Sequence, residues 1–279
     1  MKNIFKSLNI LKIILNLRRE VSQLRFEALK QTRIQQAILK ELLIQNYSKD
    51  NQLLKYEHQT FSQNGEDGII NEIFNRLGIK TGEFIEIGTG DGSENNTRLL
   101  LELGWKGVWI DGSTKNLNTI NSNFQNFIKN DKLLAYANFV NENNINSILQ
   151  KYDISKDVDL LSLDLDLTTH LVWESINYIT PKVLVIEYNG FFPKNSLWEA
   201  VVEDNEVWDG SINMGASLST IIKISESKGY KHIGCDITGT NAFFVLEELV
   251  SKYFSDFSFN PSQQPARPYI VNGPAHIRD

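Results

Sequence analysis

The sequence predicts an α/β fold: a doubly wound, mostly parallel sheet of seven strands with a terminal antiparallel hairpin, preceded by a long N-terminal helix. Three observations predict it. Five short apolar stretches without polar alternation are separated by helix-length segments, which implies right-handed crossovers and strands buried on both faces. Two further strand-like stretches follow near the C-terminus, joined by a short link containing Thr238-Gly239, a hairpin signal. No Pro or Gly occurs before Gly65, so nothing interrupts a helix at the start.

That first helix is expected from about Ile4 to Gln45. Ile10, Ile14, Leu17, Val21, Leu24 and Ala28 keep a 4-3-4-3-4 spacing, which continues through Gln31 and Gln35 and resumes at Ile38 and Leu42. This is heptad spacing, and it predicts a helix that pairs with another copy of the chain. The rival is a helix lying on a membrane surface, with Lys2, Lys6, Lys12, Arg18 and Arg19 meeting anionic lipid. A third reading is a solvated helix packed on its own body. Ile4–Leu17 is broken by Lys6, Asn9, Lys12 and Asn16. It is too short and too polar to span a bilayer, and no small-residue cleavage site follows it. Residues 1–50 therefore read as a separate helix. Residues 51–279 read as one domain with an irregular, Pro-rich tail over 258–279.

Within the domain the strands are expected at Glu83–Ile87, Gly107–Ile110, Leu133–Phe139, Val158–Leu163 and Val183–Ile186. Helices are expected at Asn95–Leu103, Lys115–Asn126, Ile145–Lys151 and Val172–Ile179. A long loop, Asn189–Gly215, precedes a helix at Ala216–Lys228. The hairpin strands are Tyr230–Cys235 and Ala242–Leu246.

Charge is unevenly shared. Residues 1–50 carry ten Lys/Arg against four Asp/Glu, and the rest carry eighteen against thirty. An acidic body is unlike a nucleic-acid binder, which shows a basic stripe. The single cysteine, Cys235, excludes an internal disulfide and a Cys-rich metal site.

The first strand runs into Glu86-Ile87-Gly88-Thr89-Gly90-Asp91-Gly92. Glycines there permit a sharp turn and close approach of bare backbone to a ligand. In an open α/β sheet ligands bind at the carboxyl ends of the strands, where strand order reverses. Asp111 ends the second strand and is placed to accept both hydroxyls of a ribose. A dinucleotide fold uses G-x-G-x-x-G beside a pyrophosphate; acids at Glu86 and Asp91 disfavour that anion. They favour an ammonium or a sulfonium, which points to S-adenosylmethionine.

Several stretches together resemble a bacterial family of S-adenosylmethionine-dependent methyltransferases related to the FkbM type, many of them associated with surface-polysaccharide synthesis. They are Ser62–Gly68 (SQNGEDG), Phe84–Thr97 (FIEIGTGDGSENNT), Gly104–Gly112 (GWKGVWIDG), Leu161–Asp166 (LSLDLD), Val185–Asn189 (VIEYN), Gly215–Leu218 (GASL) and Gly234–Phe244 (GCDITGTNAFF). The resemblance implies a Rossmann-like class I methyltransferase sheet. It implies that Glu86, Gly88, Gly90 and Gly92 hold the methionine part of the cofactor, that Asp111 binds the ribose, and that the Gln63–Asp67 loop closes over it. The chain departs from the family after Asp166, where Leu167-Thr168-Thr169-His170 replaces a more acidic stretch.

Methyl transfer to a sugar hydroxyl needs a base or a metal to activate a poor nucleophile. Asp164 and Glu187 end neighbouring strands, with Asp166 and Asn189 just beyond. Asp164, Glu187 and Asn189 are expected metal ligands for Mg²⁺ or Mn²⁺. Asp164, His170 and Glu187 are the expected catalytic residues, with His170 as a base poised near neutral pH. Trp173, Trp198 and Trp208 are available to stack on a sugar. The loop Asn189–Gly215, with Phe191-Phe192-Pro193 and Glu203-Asp204, is the expected acceptor lid.

The leading expectation is an O-methyltransferase acting on a sugar, nucleotide-sugar or glycan. It would be cytoplasmic or held on the inner membrane face, and would form a homo-oligomer through the first helix. The alternatives are a binding or scaffold protein that has lost turnover, and a nicotinamide oxidoreductase.

Overall fold

The computed structural model describes residues 2–49, 52–202, 208–255 and 263–270. Its seven strands are β1 (Glu83–Ile87), β2 (Lys106–Asp111), β3 (Leu133–Ala137), β4 (Leu160–Leu163), β5 (Val183–Glu187), β6 (Tyr230–Cys235) and β7 (Asn241–Leu246). They form one sheet in the order β3-β2-β1-β4-β5-β7-β6. β1 to β5 are parallel, and β7 runs antiparallel to both β5 and β6. This is the predicted doubly wound sheet with its terminal hairpin.

Residue parity explains the two layers. Ile85, Ile87, Leu161, Leu163, Leu184 and Ile186 point to one face. There they pack with apolar residues of α6 (Ile145–Lys151), α7 (Thr169–Ser175) and α8 (Leu218–Ser227). Phe84, Trp109, Leu160, Val183, Val185 and Phe243 point to the other face. There they meet α2 (Glu66–Leu77), α3 (Arg98–Glu102), α4 (Thr114–Asn123) and α9 (Glu247–Tyr253). A fifth short helix on this side, α5 (Gln125–Lys129), contributes partly buried Phe127 and Ile128. Both faces of the central strands are therefore dry, which is why their sequences show no alternation.

α2 and α9 were not expected. The SQNGEDG motif reads as a loop, yet Gly65 at φ 105° closes the loop and α2 starts at Glu66. Gly68 sits inside α2 because a Cβ there would stand 2.0 Å from the Tyr56 carbonyl oxygen. Its glycine answers to packing, not to a helix break. α3 starts at Arg98, three residues late, because Asn96 and Thr97 are drawn onto Glu86 instead. α7 spans Thr169–Ser175 in place of Val172–Ile179. Its end is set by Asn146, whose Oδ1 accepts from the N–H groups of Asn177 and Tyr178.

The first helix, α1, spans Lys2–Tyr47. Among the described residues its C-terminal part touches the domain: Leu43, Ile44 and Tyr47 pack on buried Leu54, Ile237 and Ile270, and Gln36 Nε2 donates to the Tyr269 carbonyl at 2.9 Å. Lys40 pairs with buried Glu57 at 2.7 Å and also donates to the Asn64 carbonyl. Along the predicted heptad seam Ile14, Leu17, Val21, Leu24, Ile38 and Leu42 are all exposed, Leu24 by 70%.

The tail was expected to be irregular. Much of it lies outside the described residues, but 263–270 is a strap fastened across the sheet's carboxyl end. Tyr188 Oη donates to the Gln264 carbonyl at 2.6 Å, and the Ala266 and Arg267 N–H groups reach Gly190 and Thr238.

Candidate functional site

Two cavities open at the carboxyl ends of the strands. The first, of about 390 Å³, is lined by Gly88 and Gly90 after β1, by Asp111 and Gly112 at the end of β2, and by Asn138–Val140 after β3. The second, of about 310 Å³, is lined by Gln63 and Asn64, by Glu187–Phe191, by Thr238–Thr240 and by Ala266–Pro268. Asp164, Asp166 and Trp208 line both. The two spaces therefore meet at the end of β4.

In the first cavity Asp111 is held in place rather than buried. Its Oδ2 accepts from Gly90 N at 2.9 Å; its Oδ1 accepts from Ser113 N and Asn116 Nδ2. Three donors fix the carboxylate while leaving acceptor capacity toward the cavity. Gly90, at φ 56°, has no heavy atom within 4 Å of where a Cβ would stand. Gly88 is constrained on the other side, where a Cβ would collide with the Asp164 carbonyl. Gly92 does not line the cavity; it packs against Trp109 and Phe124.

Glu86 is turned inward. It is 2% exposed. One oxygen accepts from Asn96 N at 2.8 Å, the other from Thr97 N and Thr97 Oγ1. Thr97 Oγ1 in turn accepts from Trp109 Nε1. Burial pushes the Glu86 carboxyl up to about 7 despite these donors. The structure thus corrects the expectation for this residue: Glu86 fastens the chain after Gly92, and the cavity wall is made without it. Gln63 is corrected as well, since it lines the second cavity and not the first. The turn that carries Gln63 is shaped by Asp67, whose Oδ2 accepts from the N–H groups of Thr60, Phe61 and Ser62 and from Ser62 Oγ.

At the junction, carboxylate oxygens of Asp164, Asp166 and Glu187 lie within 4.8 Å of one another. Burial, and then the Asp166 charge, raise Asp164 to about 7. Burial, and then Asp164, raise Glu187 well above the usual carboxylate range. Like charges this close cannot all ionise, so Asp164 and Glu187 titrate as a pair. The Asp166 N–H serves both carboxyls, and Asp166 itself sits at φ 52°. Non-glycine residues held there cost free energy and are concentrated at functional sites. Glu187 Oε2 is buried and has no hydrogen-bond partner among the described residues. A hard cation fits this set: three oxygen donors, one of them orphaned.

Asn189 is not available as the third ligand. Its Nδ2 donates to the carbonyls of Ile212 and Met214, and its Oδ1 accepts from Phe191 N. It ties down the long loop, and Asp166 takes the place expected for it. His170 is corrected too. It lies in the first turn of α7, 1% exposed, and lines neither cavity. Desolvation lowers it to about 4, so it is a neutral core residue and not a base poised near pH 7.

Of the three tryptophans, Trp173 is buried and donates to Ser225 Oγ. Trp198 stacks on Phe192 at 4.0 Å. Trp208 alone reaches the cavities. The long loop does wall the second cavity, through Phe191, Trp208 and Met214; Glu203 and Asp204 lie outside the described residues. Asn138, Phe139 and Arg267 were missed in the sequence. Each follows or faces a strand end, but nothing in its local pattern marks it.

No protein-family model matches the chain, and no curated protein matches it. Among solved structures it is similar to an S-adenosylmethionine-dependent methyltransferase from Clostridium acetobutylicum (TM-score 0.40, 13% identity, 65% of this chain and 90% of that one). It is also similar to an O-methyltransferase from Bacillus cereus in complex with SAH (0.42, 12%, 72% and 88%). A sarcosine dimethylglycine methyltransferase candidate from Galdieria sulphuraria aligns at 0.40 and 11% over 60% of this chain; the chain spans 62% of its length. Such distant likenesses carry no argument; the strand order β3-β2-β1-β4-β5-β7-β6 stands on the fold itself.

Proposed function

We propose that the protein is an S-adenosylmethionine-dependent O-methyltransferase acting on a hydroxyl of a sugar, nucleotide-sugar or glycan. The observation that carries this reading is the shared wall: a glycine-and-Asp111 cavity and a carboxylate-lined cavity meet at Asp164, Asp166 and Trp208. Two reactants seated there would be adjacent, and alignment of that kind supplies several kcal/mol of catalysis.

S-adenosylmethionine, when bound, supplies an electrophilic methyl group. Gly88 and Gly90 offer it bare backbone, and Asp111 accepts from its ribose hydroxyls. Asp164 receives the proton of the acceptor hydroxyl, its carboxyl raised toward neutrality where a base works best, while Glu187, raised well above its usual range, stays protonated beside it. Asp164, Asp166 and Glu187 would hold Mg²⁺ or Mn²⁺, which would lower the hydroxyl pKa. Keeping Glu187 Oε2 buried and unpartnered costs stability, which favours turnover over a purely scaffolding role.

The surface-polysaccharide setting rests on the sequence motifs. For α1 the reading is a second copy of this chain, because the exposed residues keep heptad spacing across Gln31 and Gln35. No helix among the described residues is long and apolar enough to cross a membrane. Mass in solution with and without residues 1–50 tests the pairing; an unchanged oligomer, or binding to anionic vesicles instead, removes it.

The cofactor is tested by calorimetry with S-adenosylhomocysteine and with NAD. Binding of the first alone is expected. Failure to bind it ends the methyltransferase reading.

A further inference from the structure

We propose that the second cavity takes an acceptor carrying an oxyanion, a carboxylate or a phosphate, in addition to its reacting hydroxyl, and that Arg267 receives that anion. The proposal rests on the reading of this cavity as the acceptor site. Arg267 is 4% exposed and is the only basic residue among those lining the cavity. Its backbone N–H holds the strap to Thr238. Its Nη1 donates to the carbonyls of Ile237 and Pro265 and to Gln264 Oε1. All three acceptors are uncharged, and among the described residues no carboxylate pairs with it.

One nitrogen therefore suffices to pin the strap. Among the described residues neither Nε nor Nη2 has a protein partner, and the side chain lines the cavity. The Tyr47 ring lies 5.1 Å from Cζ, which keeps the guanidinium plane in position. A buried cation without a counter-ion is costly, and a planar fork with two free donors matches a carboxylate or phosphate. Asp164, Asp166 and Glu187 line the same cavity and disfavour such a group beside them. An acceptor is thereby oriented, its hydroxyl toward Asp164 and its anion toward Arg267. A neutral polyol would use only half of this site.

The test titrates the full chain with glucuronate, glucose 6-phosphate and glucose, each with saturating S-adenosylhomocysteine and again without it, by calorimetry. At least one of the two anionic sugars is expected to bind tenfold or more tightly than glucose, and the better one names the source of the oxyanion. Arg267→Gln is expected to abolish the preference, and Arg267→Lys to retain part of it. Equal binding of all three, no binding of any, or a preference that survives in a folded Arg267→Gln variant overturns the proposal. The wild-type comparison decides the matter even if Arg267→Gln fails to fold. S-adenosylhomocysteine binding is read separately. Its absence beside an intact, Arg267-dependent preference would remove methyl transfer and leave the anion subsite standing.

Discussion

A Cβ atom on Gly88 would stand 1.6 Å from the carbonyl oxygen of Asp164. The turn after β1 and the end of β4 thus touch through backbone alone, and this contact sets the wall between the two cavities. Gly88→Ala is expected to destabilise the chain by about 3–5 kcal/mol, from the left-handed φ and the collision together. Gly90→Ala meets no atom and is expected to cost only about 1–2 kcal/mol. Its methyl would enter the first cavity, and the expected loss is about tenfold in S-adenosylhomocysteine affinity, about 1.4 kcal/mol. Denaturant melts and calorimetry on both variants check the contrast; equal stabilities would refute it.

Glu86→Ala orphans three donors, on Asn96 and Thr97. The expected cost is about 3 kcal/mol of stability, with the affinity of the folded fraction for S-adenosylhomocysteine little changed. The reverse pattern, normal stability with lost affinity, would return Glu86 to the cofactor site.

Lys40→Met leaves Glu57 buried without its partner. Glu57 already stands at about 7 because of burial. Breaking a buried pair from one side is expected to cost about 3 kcal/mol. The double variant Lys40→Met/Glu57→Gln should recover most of this in urea unfolding, and no recovery would mean that the pair is not coupled.

Stability should fall as pH rises from 6.5 to 8. Glu57, Glu86 and Asp164 each titrate at about 7 in the folded chain, raised chiefly by burial. The folded state then binds more protons than the unfolded one, so their contribution is complete below about 4.5 and lost through 7. His170 and His232, lowered to about 4, act oppositely, but only below about 6.5, where the unfolded chain takes up their protons. Above that pH the acids act alone, and the expected loss is about 2 kcal/mol between pH 6.5 and 8. Stability that rises across this interval would contradict the burial of these carboxyls.

Mn²⁺ is expected to bind at Asp164, Asp166 and Glu187 and to displace the proton that Asp164 and Glu187 share. Its affinity should therefore grow about tenfold or more from pH 6 to pH 8, and Glu187→Gln should abolish it. Electron paramagnetic resonance of free Mn²⁺ measures both. Binding that ignores pH or survives Glu187→Gln would place the ion elsewhere.

Much of this was legible from residue patterns. Short apolar stretches at Phe84–Ile87, broken only by Glu86, and at Val183–Ile186 marked strands buried on both faces, and Thr238-Gly239 marked the hairpin. The glycine turn and Asp111 pointed to the first cavity. Local pattern failed where a distant partner decides. Gly68 resembles a helix breaker until Tyr56 is seen beside it. Asn96 and Thr97 would be helix if Glu86 did not hold their N–H groups. Asn189 has a ligand's chemistry, but its amide is taken by Ile212 and Met214.

The sequence by itself determined the order of the strands and of the helices between them, and the chemistry gathered at the strand ends, because hydrophobic period and turn residues act over a few neighbours. Only the tertiary structure decided which acids face a cavity and which are internal fasteners. Glu86 and Glu187 both lie on short apolar strands with the same side-chain chemistry. One found three donors in the next segment, and the other found Asp164 and a buried, empty lone pair. Burial and partners, which act between residues far apart in the chain, made that difference.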